Sequence, residues 1–298
     1  MPYIWMLTGS FAFALMATCV HRAGESYSWP IVAFSRSFCV MIFAGLAVWL
    51  GSAKFVVIGP RMLWIRSLAG SASLVCTFFA LTHMQVANAL TLTNTFPLWV
   101  AVLSWPLLRR LPHWTTWAAL LLAVLGVLLV ERPDAQGWSM AALVAILASF
   151  ATAVAMLGLN RLKGIDPKAI VVHFAAVSLP FCLAAGLIFG SDQWKFATDI
   201  NSLLSLLGTG VMATIGQYFL TLAFANGEAS KVSIVGLSQV VFALILDVFW
   251  WNHSIDFVMI LGILLILIPT GWVMWSNRPH RELRTASFDT AGVAKQEK

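Results

Sequence analysis

Ten stretches of this chain, each 17 to 23 residues long, run almost without charge: 3–20, 30–50, 63–82, 87–107, 114–130, 139–159, 168–189, 202–224, 230–250 and 256–275. A helix rises 1.5 Å per residue, so about 20 apolar residues cross the roughly 30 Å of bilayer hydrocarbon. Ten such stretches in 298 residues leave little chain for anything but short loops. The composition agrees. Charged residues make up 10% and hydrophobic residues 60% of the chain, with a mean hydropathy of +0.87, where a soluble domain carries about 25% charge. So much apolar surface cannot be buried in a water-soluble core of this size. The sequence therefore predicts an all-α integral membrane protein with ten transmembrane helices.

The charges between the spans set a direction. With the N-terminus on the cytoplasmic side, the inner loops and tail hold 14 Lys and Arg residues. The outer loops hold Arg22, Arg132 and Lys195, and Arg36 falls inside a span. Inner loops are enriched in Lys and Arg, so both termini are expected in the cytoplasm, in a membrane of the bacterial cytoplasmic type. The net charge of +6 is thereby accounted for by the membrane, and no nucleic-acid partner is expected. Thirteen of the fourteen tryptophans lie near span ends, where amphipathic rings favour the headgroup region; Trp99 lies well inside a span. The first stretch has no Lys or Arg before it and exceeds the core of a cleavable signal, so it reads as a permanent span. Cys19, Cys39, Cys76 and Cys182 sit in apolar runs without metal spacing and read as packing residues.

The chain also repeats its own pattern. Phe78–Ala89 ends one apolar helix, makes a short polar turn and starts another with small residues. Leu222–Lys231 does the same 143 residues later, with Ala80 corresponding to Ala223 and Val130 to Val273. Residues 1–130 and 139–275 thus form two five-span halves, joined by an outer loop at 131–138 and followed by a tail at 276–298 expected to be disordered. An odd number of spans per half inverts the second half relative to the first. Such a five-plus-five inverted repeat lets one assembly open to either side by exchanging the conformations of its halves.

This arrangement resembles the EamA-type transporters of the drug/metabolite transporter superfamily. Pro30 followed six residues later by Arg36, Pro167 followed six residues later by His173, and Pro97 in the fourth span fit that likeness. The chain departs from it with Arg109 and Asn252 where the family often has Glu, and with Gln239-Val240 where a second span proline would fall. The resemblance covers residues 3–275. It implies movement of small metabolites, often export of amino acids or related compounds, through a central cavity lined by both halves.

Polar groups inside the spans mark the candidate site. Arg36 lies about 9 Å into the second span. It either snorkels to the headgroups or anchors a substrate carboxylate or phosphate, because an intramembrane Arg costs about 2.5–3.5 kcal/mol on insertion scales. Thr91, Asn94, Thr95 and Trp99 share a face of span four, and Ser238, Gln239 and Phe242 lie at comparable depth in span nine. Gln217 and Tyr218 on span eight, with Ser73 and Thr77 on span three, complete an expected wall of neutral hydrogen-bonding groups and aromatic faces. Such a wall suits a small amphipathic or aromatic metabolite. Asp247 and His173 are the candidates for proton coupling.

The expected partners are a small-molecule substrate and the lipid bilayer; a homodimer is compatible with the sequence. Anionic-metabolite or nucleotide-sugar exchange is the alternative within transport, and asks for several basic groups on the cavity. A membrane-embedded enzyme is the alternative from another class. It has no His-Glu-x-x-His, Gly-x-Ser-x-Gly or intramembrane aspartate pair to support it, and no cofactor or metal is expected.

Overall fold

The computed structural model describes residues 1–51, 54–56, 58–109, 111–133, 139–189, 199–251 and 256–276, with the backbone alone at residues 82 and 251. The tail beyond Ser276, most of the 131–138 connection, and Trp138, Trp194 and Asn252 lie outside the described residues. Twelve helices are described: α1 (Pro2–Ser26), α2 (Trp29–Leu50), α3 (Arg61–His83), α4 (Val86–Thr93), α5 (Phe96–Leu108), α6 (Trp114–Glu131), α7 (Met140–Asn160), α8 (Pro167–Phe189), α9 (Ile200–Asn226), α10 (Ala229–Gly236), α11 (Ser238–Trp251) and α12 (Phe257–Ser276). Two pairs, α4 with α5 and α10 with α11, each make one span. The result is ten helices long and apolar enough to cross a membrane.

The local signals for these elements are ordinary ones. Proline stands in the first turn of α1, α2 and α5 and opens α8, where its missing N–H costs no helical bond. Ser139, Asp199 and Asp256 accept bonds from the backbone N–H groups of Ala142, Ser202 and Met259, capping α7, α9 and α12. The spans keep the limits read from the sequence to within about two residues, except at the end of α1. There the polar residues His21–Ser26 remain helical. The cause is packing, since α1 runs along α9, the longest helix, and Ser202 Oγ donates to Ser26 Oγ at 2.8 Å.

Packing follows small residues. Gly126 of α6 and Gly262 of α12 face each other so closely that a Cβ on either would meet the other's carbonyl oxygen at 2.7–2.8 Å. The Gly158 position of α7 lies against the backbone of Arg66 in α3. Outside, apolar side chains such as Leu187, Ile188 and Phe249 are exposed to what is lipid in a membrane, and Trp49, Trp105, Trp114 and Trp275 mark span ends.

The most extensive contacts are α1 with α9, α3 with α7, α2 with α8 and α6 with α12. Numbered as spans, these are 1 with 8, 3 with 6, 2 with 7 and 5 with 10. Exchanging each span for the one five places away turns the first contact into the second and leaves the other two unchanged. The main contacts are thus preserved when the two sets of five spans are exchanged.

Loop contacts sort the span ends into two groups. Arg22 lies over Trp250, Ser26 bonds Ser202, and Arg132 pairs with Asp256. At the other end, Asn160 Nδ2 donates to the carbonyls of Phe224 and Gly227, and Ser104 bonds Ser230. Every one of these contacts joins loops that the alternating count places on the same side.

Candidate functional site

Spans four and nine are each interrupted eight residues from their start. In span four, Asn94 and Thr95 adopt near-3₁₀ dihedrals and Thr95 N–H bonds Leu92 at i−3. Pro97 has no N–H to offer, so the Thr93 carbonyl has lost its usual backbone donor. In span nine, Leu237 takes the equivalent place. Val240 N–H turns to the Leu237 carbonyl, and the Gly236 carbonyl accepts from Ser10 Oγ of α1 at 3.3 Å instead. Irregular backbone at membrane depth is tolerated where it lines a cavity.

A cavity of about 260 Å3 does lie between the two breaks. Spans 1–4 and 6–9 contribute to its wall, while spans 5 and 10 pack on each other outside it. Its polar groups are Arg36, Arg66, Asn94, Gln217, Gln239, Ser73, Thr77 and Thr152; Phe13, Phe78, Phe96 and Phe174 supply ring surface. No aspartate or glutamate is among its described lining residues.

Arg66 is the residue the sequence reading misplaced. It was expected among the inner-loop charges, five residues past Arg61. It is instead 1% exposed, with its guanidinium 4.3 Å from the Phe174 ring centre and Nη2 donating to Gln217 Oε1 at 3.1 Å. Its Nε is buried and has no partner among the described residues. Gly70, one turn on, makes room, since a side chain there would collide with Arg66 Nη1 and the Phe174 ring. The signal in the sequence was that run of Ser67, Gly70 and Ser71, small residues flanking one arginine on a helix face. Arg36 is 6% exposed, and the partner found for its guanidinium is Met16 Sδ, 3.4 Å from Nε.

Of the expected site residues, Arg36, Asn94, Gln217 and Gln239 are brought together here, with Ser73 and Thr77. The others do not line the cavity. Thr95 Oγ1 donates to Leu92 O and to Ser149 Oγ, and Ser238 Oγ bonds back to Val235 O, as hydroxyls in helices commonly do. Thr91 is buried, and its Oγ1 has no hydrogen-bond partner among the described residues. Trp99 packs edge-on against Phe150 at 5.5 Å, Phe242 against Phe11, and Tyr218 against Phe219. Asp247 lies on an exposed face of α11. His173 is buried, with Nδ1 2.8 Å from Ser67 Oγ and its ring against Trp64, one residue from the cavity phenylalanine at 174.

The model of the EamA-like transporter family matches residues 1–132 and again residues 139–275. The pseudopaline exporter CntI of Pseudomonas aeruginosa is 29% identical over 262 residues, covering 87% of this chain and 90% of that protein. A riboflavin transporter of Vibrio cholerae is 24% identical over 237 residues, covering 77% and 78%. One solved structure, described only as the crystal structure of a protein, matches with a TM-score of 0.78 at 16% identity over 92% of this chain and 96% of its own, a likeness of fold.

Proposed function

The chain belongs to the EamA-like transporter family, and from that premise we propose that it moves a small organic metabolite across the cytoplasmic membrane by alternating access. The observation that carries this reading is the position of the cavity: it lies where the interrupted spans of the two halves meet. Loosened backbone on both sides of one site is what a rocking exchange of inverted halves requires. The two-fold contact pattern supports the inverted repeat. With Arg66 buried, the Lys and Arg residues of the loops and tail in the sequence still divide 13 to 3 in favour of the side holding both termini, which supports a cytoplasmic N- and C-terminus.

The substrate reading with the widest support is an amino acid or a related amphipathic or aromatic compound, moved outward. The aromatic and amide lining suits such a body, and a relative named as an exporter supports the direction. A volume of about 260 Å3 falls just under the roughly 300–1,000 Å3 of sites for drug-sized ligands, which favours a compact solute. The second reading, an anionic metabolite, gains from Arg66: the cavity has two basic groups, Arg36 and Arg66, where the sequence alone offered Arg36 with Lys231 as a further candidate. Neither reading gives the protein a catalytic role.

Solute counterflow tests the proposal. Proteoliposomes loaded with unlabelled solute should transiently accumulate the same labelled solute, saturably. Accumulation that is linear in concentration and equal to that of protein-free liposomes, across amino acids, organic acids and aromatic metabolites, would overturn it.

A further inference from the structure

We infer that the transported species is an organic anion, a carboxylate on a small apolar or aromatic body, and that Arg36 and Arg66 together bind its charged head. The inference rests on the transport reading above and, of its two substrate readings, takes the anionic one over the free amino acid. Two guanidinium groups, both more than nine-tenths buried, face one cavity with no carboxylate among its described lining residues. Neither arginine forms an ion pair among the described residues, whereas Arg132 pairs with Asp256 and Lys231 with Glu228. A buried charge is stable when it is paired. Gln217 and Phe174 share one edge and one face of Arg66, yet neither neutralises it, and Arg36 finds a thioether. The described residues thus place two positive charges on one cavity and supply hydrogen bonds but no counter-charge.

The same arrangement discriminates by charge type. A carboxylate accepts the forked donors of one or both guanidiniums. The ammonium of a zwitterionic amino acid would be brought near two cations with no acid to receive it, and a cationic aromatic would fare worse. Asn94, Gln217 and Gln239 can serve neutral polar groups, and the phenylalanines an apolar body. An acid whose nitrogen is acylated, or a plain organic acid, fits where the free amino acid does not.

The test uses matched acid and amide pairs on the purified full-length protein: phenylacetate with phenylacetamide, and N-acetylphenylalanine with its amide. Phenylalanine serves as the zwitterion and phenyl phosphate as the other anionic head. Thermal stabilisation reports binding by mass action. The acids should bind about tenfold or more tightly than their amides and than phenylalanine, from the strength of charged hydrogen bonds. Arg36→Gln and Arg66→Gln should each remove most of that preference; Arg36→Gln leaves the Arg66–Gln217–Phe174 contacts intact and guards against a folding defect in the other. Amides or phenylalanine binding as well as the acids, or no acid exceeding its amide, would overturn the charge assignment. Phenyl phosphate outcompeting the carboxylates would replace the carboxylate head by a phosphate one. Counterflow of the best-binding acid separates the two layers. Binding with acid preference but no counterflow sinks the transport reading alone, whereas counterflow of a neutral or zwitterionic solute with no acid preference sinks this inference alone.

Discussion

Replacing Gln217 by glutamate puts a carboxylate 3.1 Å from Arg66 Nη2, where the amide oxygen now sits. At an effective dielectric of about 20, two unit charges at that distance attract by about 5 kcal/mol. Desolvating the new carboxylate takes back several kcal/mol, so the net gain is about 1–2 kcal/mol, and thermal stability should rise. Gln217→Leu removes the bond without replacing it and should cost about 1.5–3 kcal/mol, the usual worth of a hydrogen bond to a charged group. Ligand binding should move the other way. An anion seated about 6 Å from the new carboxylate is repelled by about 3 kcal/mol at the same dielectric, or about a hundredfold in affinity. Gln217→Glu is therefore expected to be the more stable protein and the poorer anion binder. Thermal unfolding in detergent and titration with N-acetylphenylalanine measure both. If Gln217→Glu is destabilised as much as Gln217→Leu and binds the acid like the parent, Arg66 is not an unneutralised charge at the site and the reasoning fails.

Other consequences are as concrete. Gly70→Val should displace the Arg66 guanidinium and reduce acid binding, while Gly45→Ala, whose added Cβ meets nothing within 4 Å, should be neutral or stabilising by about 0.5–1 kcal/mol; equal loss in both would contradict the crowding at Gly70. Gly126→Leu should separate α6 from α12 and cost about 1–3 kcal/mol or more, read as a lower unfolding temperature. Gln239→Ala should weaken transport, whereas Trp99→Ala should lower stability through its lost contact with Phe150 and leave apparent substrate affinity unchanged. The Met259 N–H and then Arg132 hold the Asp256 carboxyl below its ordinary pKa. Its contribution is in place above about pH 4 and is lost as pH falls further, so acid should loosen the Arg132–Asp256 contact. Asp256→Asn should flatten that part of the stability–pH profile, and an unchanged profile would refute the assignment.

Much of the fold was legible because a bilayer admits few solutions. Span number and limits follow from apolar length, and span ends from Trp. The end of α1 was not legible, since its polar last turn is held helical by α9, a partner 176 residues away at Ser202. The lining of the candidate cavity was legible in part. Asn94, Gln217, Gln239 and Arg36 stood out as polar groups where lipid forbids them to be idle. Thr95 and Ser238 misled for a physical reason: a hydroxyl can satisfy itself on the carbonyl of the preceding turn, whereas an amide or a guanidinium cannot. Trp99 was singled out for its depth, but a ring at mid-membrane packs equally well on a neighbouring helix. Arg66 was missed because distance along the chain from a loop does not measure depth when the side chain points inward. The break at Leu237 carries no proline, so only its backbone and the Ser10 bond reveal it.

Two-sided access to the cavity is the most direct measure of the central claim. Thr77→Cys, in a background with Cys19, Cys39, Cys76 and Cys182 replaced by serine or alanine, puts a thiol on the cavity wall. A membrane-impermeant maleimide is then applied to right-side-out and to inside-out vesicles. Alternating access predicts labelling from both sides, with N-acetylphenylalanine protecting in both. Labelling from one side alone, unchanged by the acid, would contradict it.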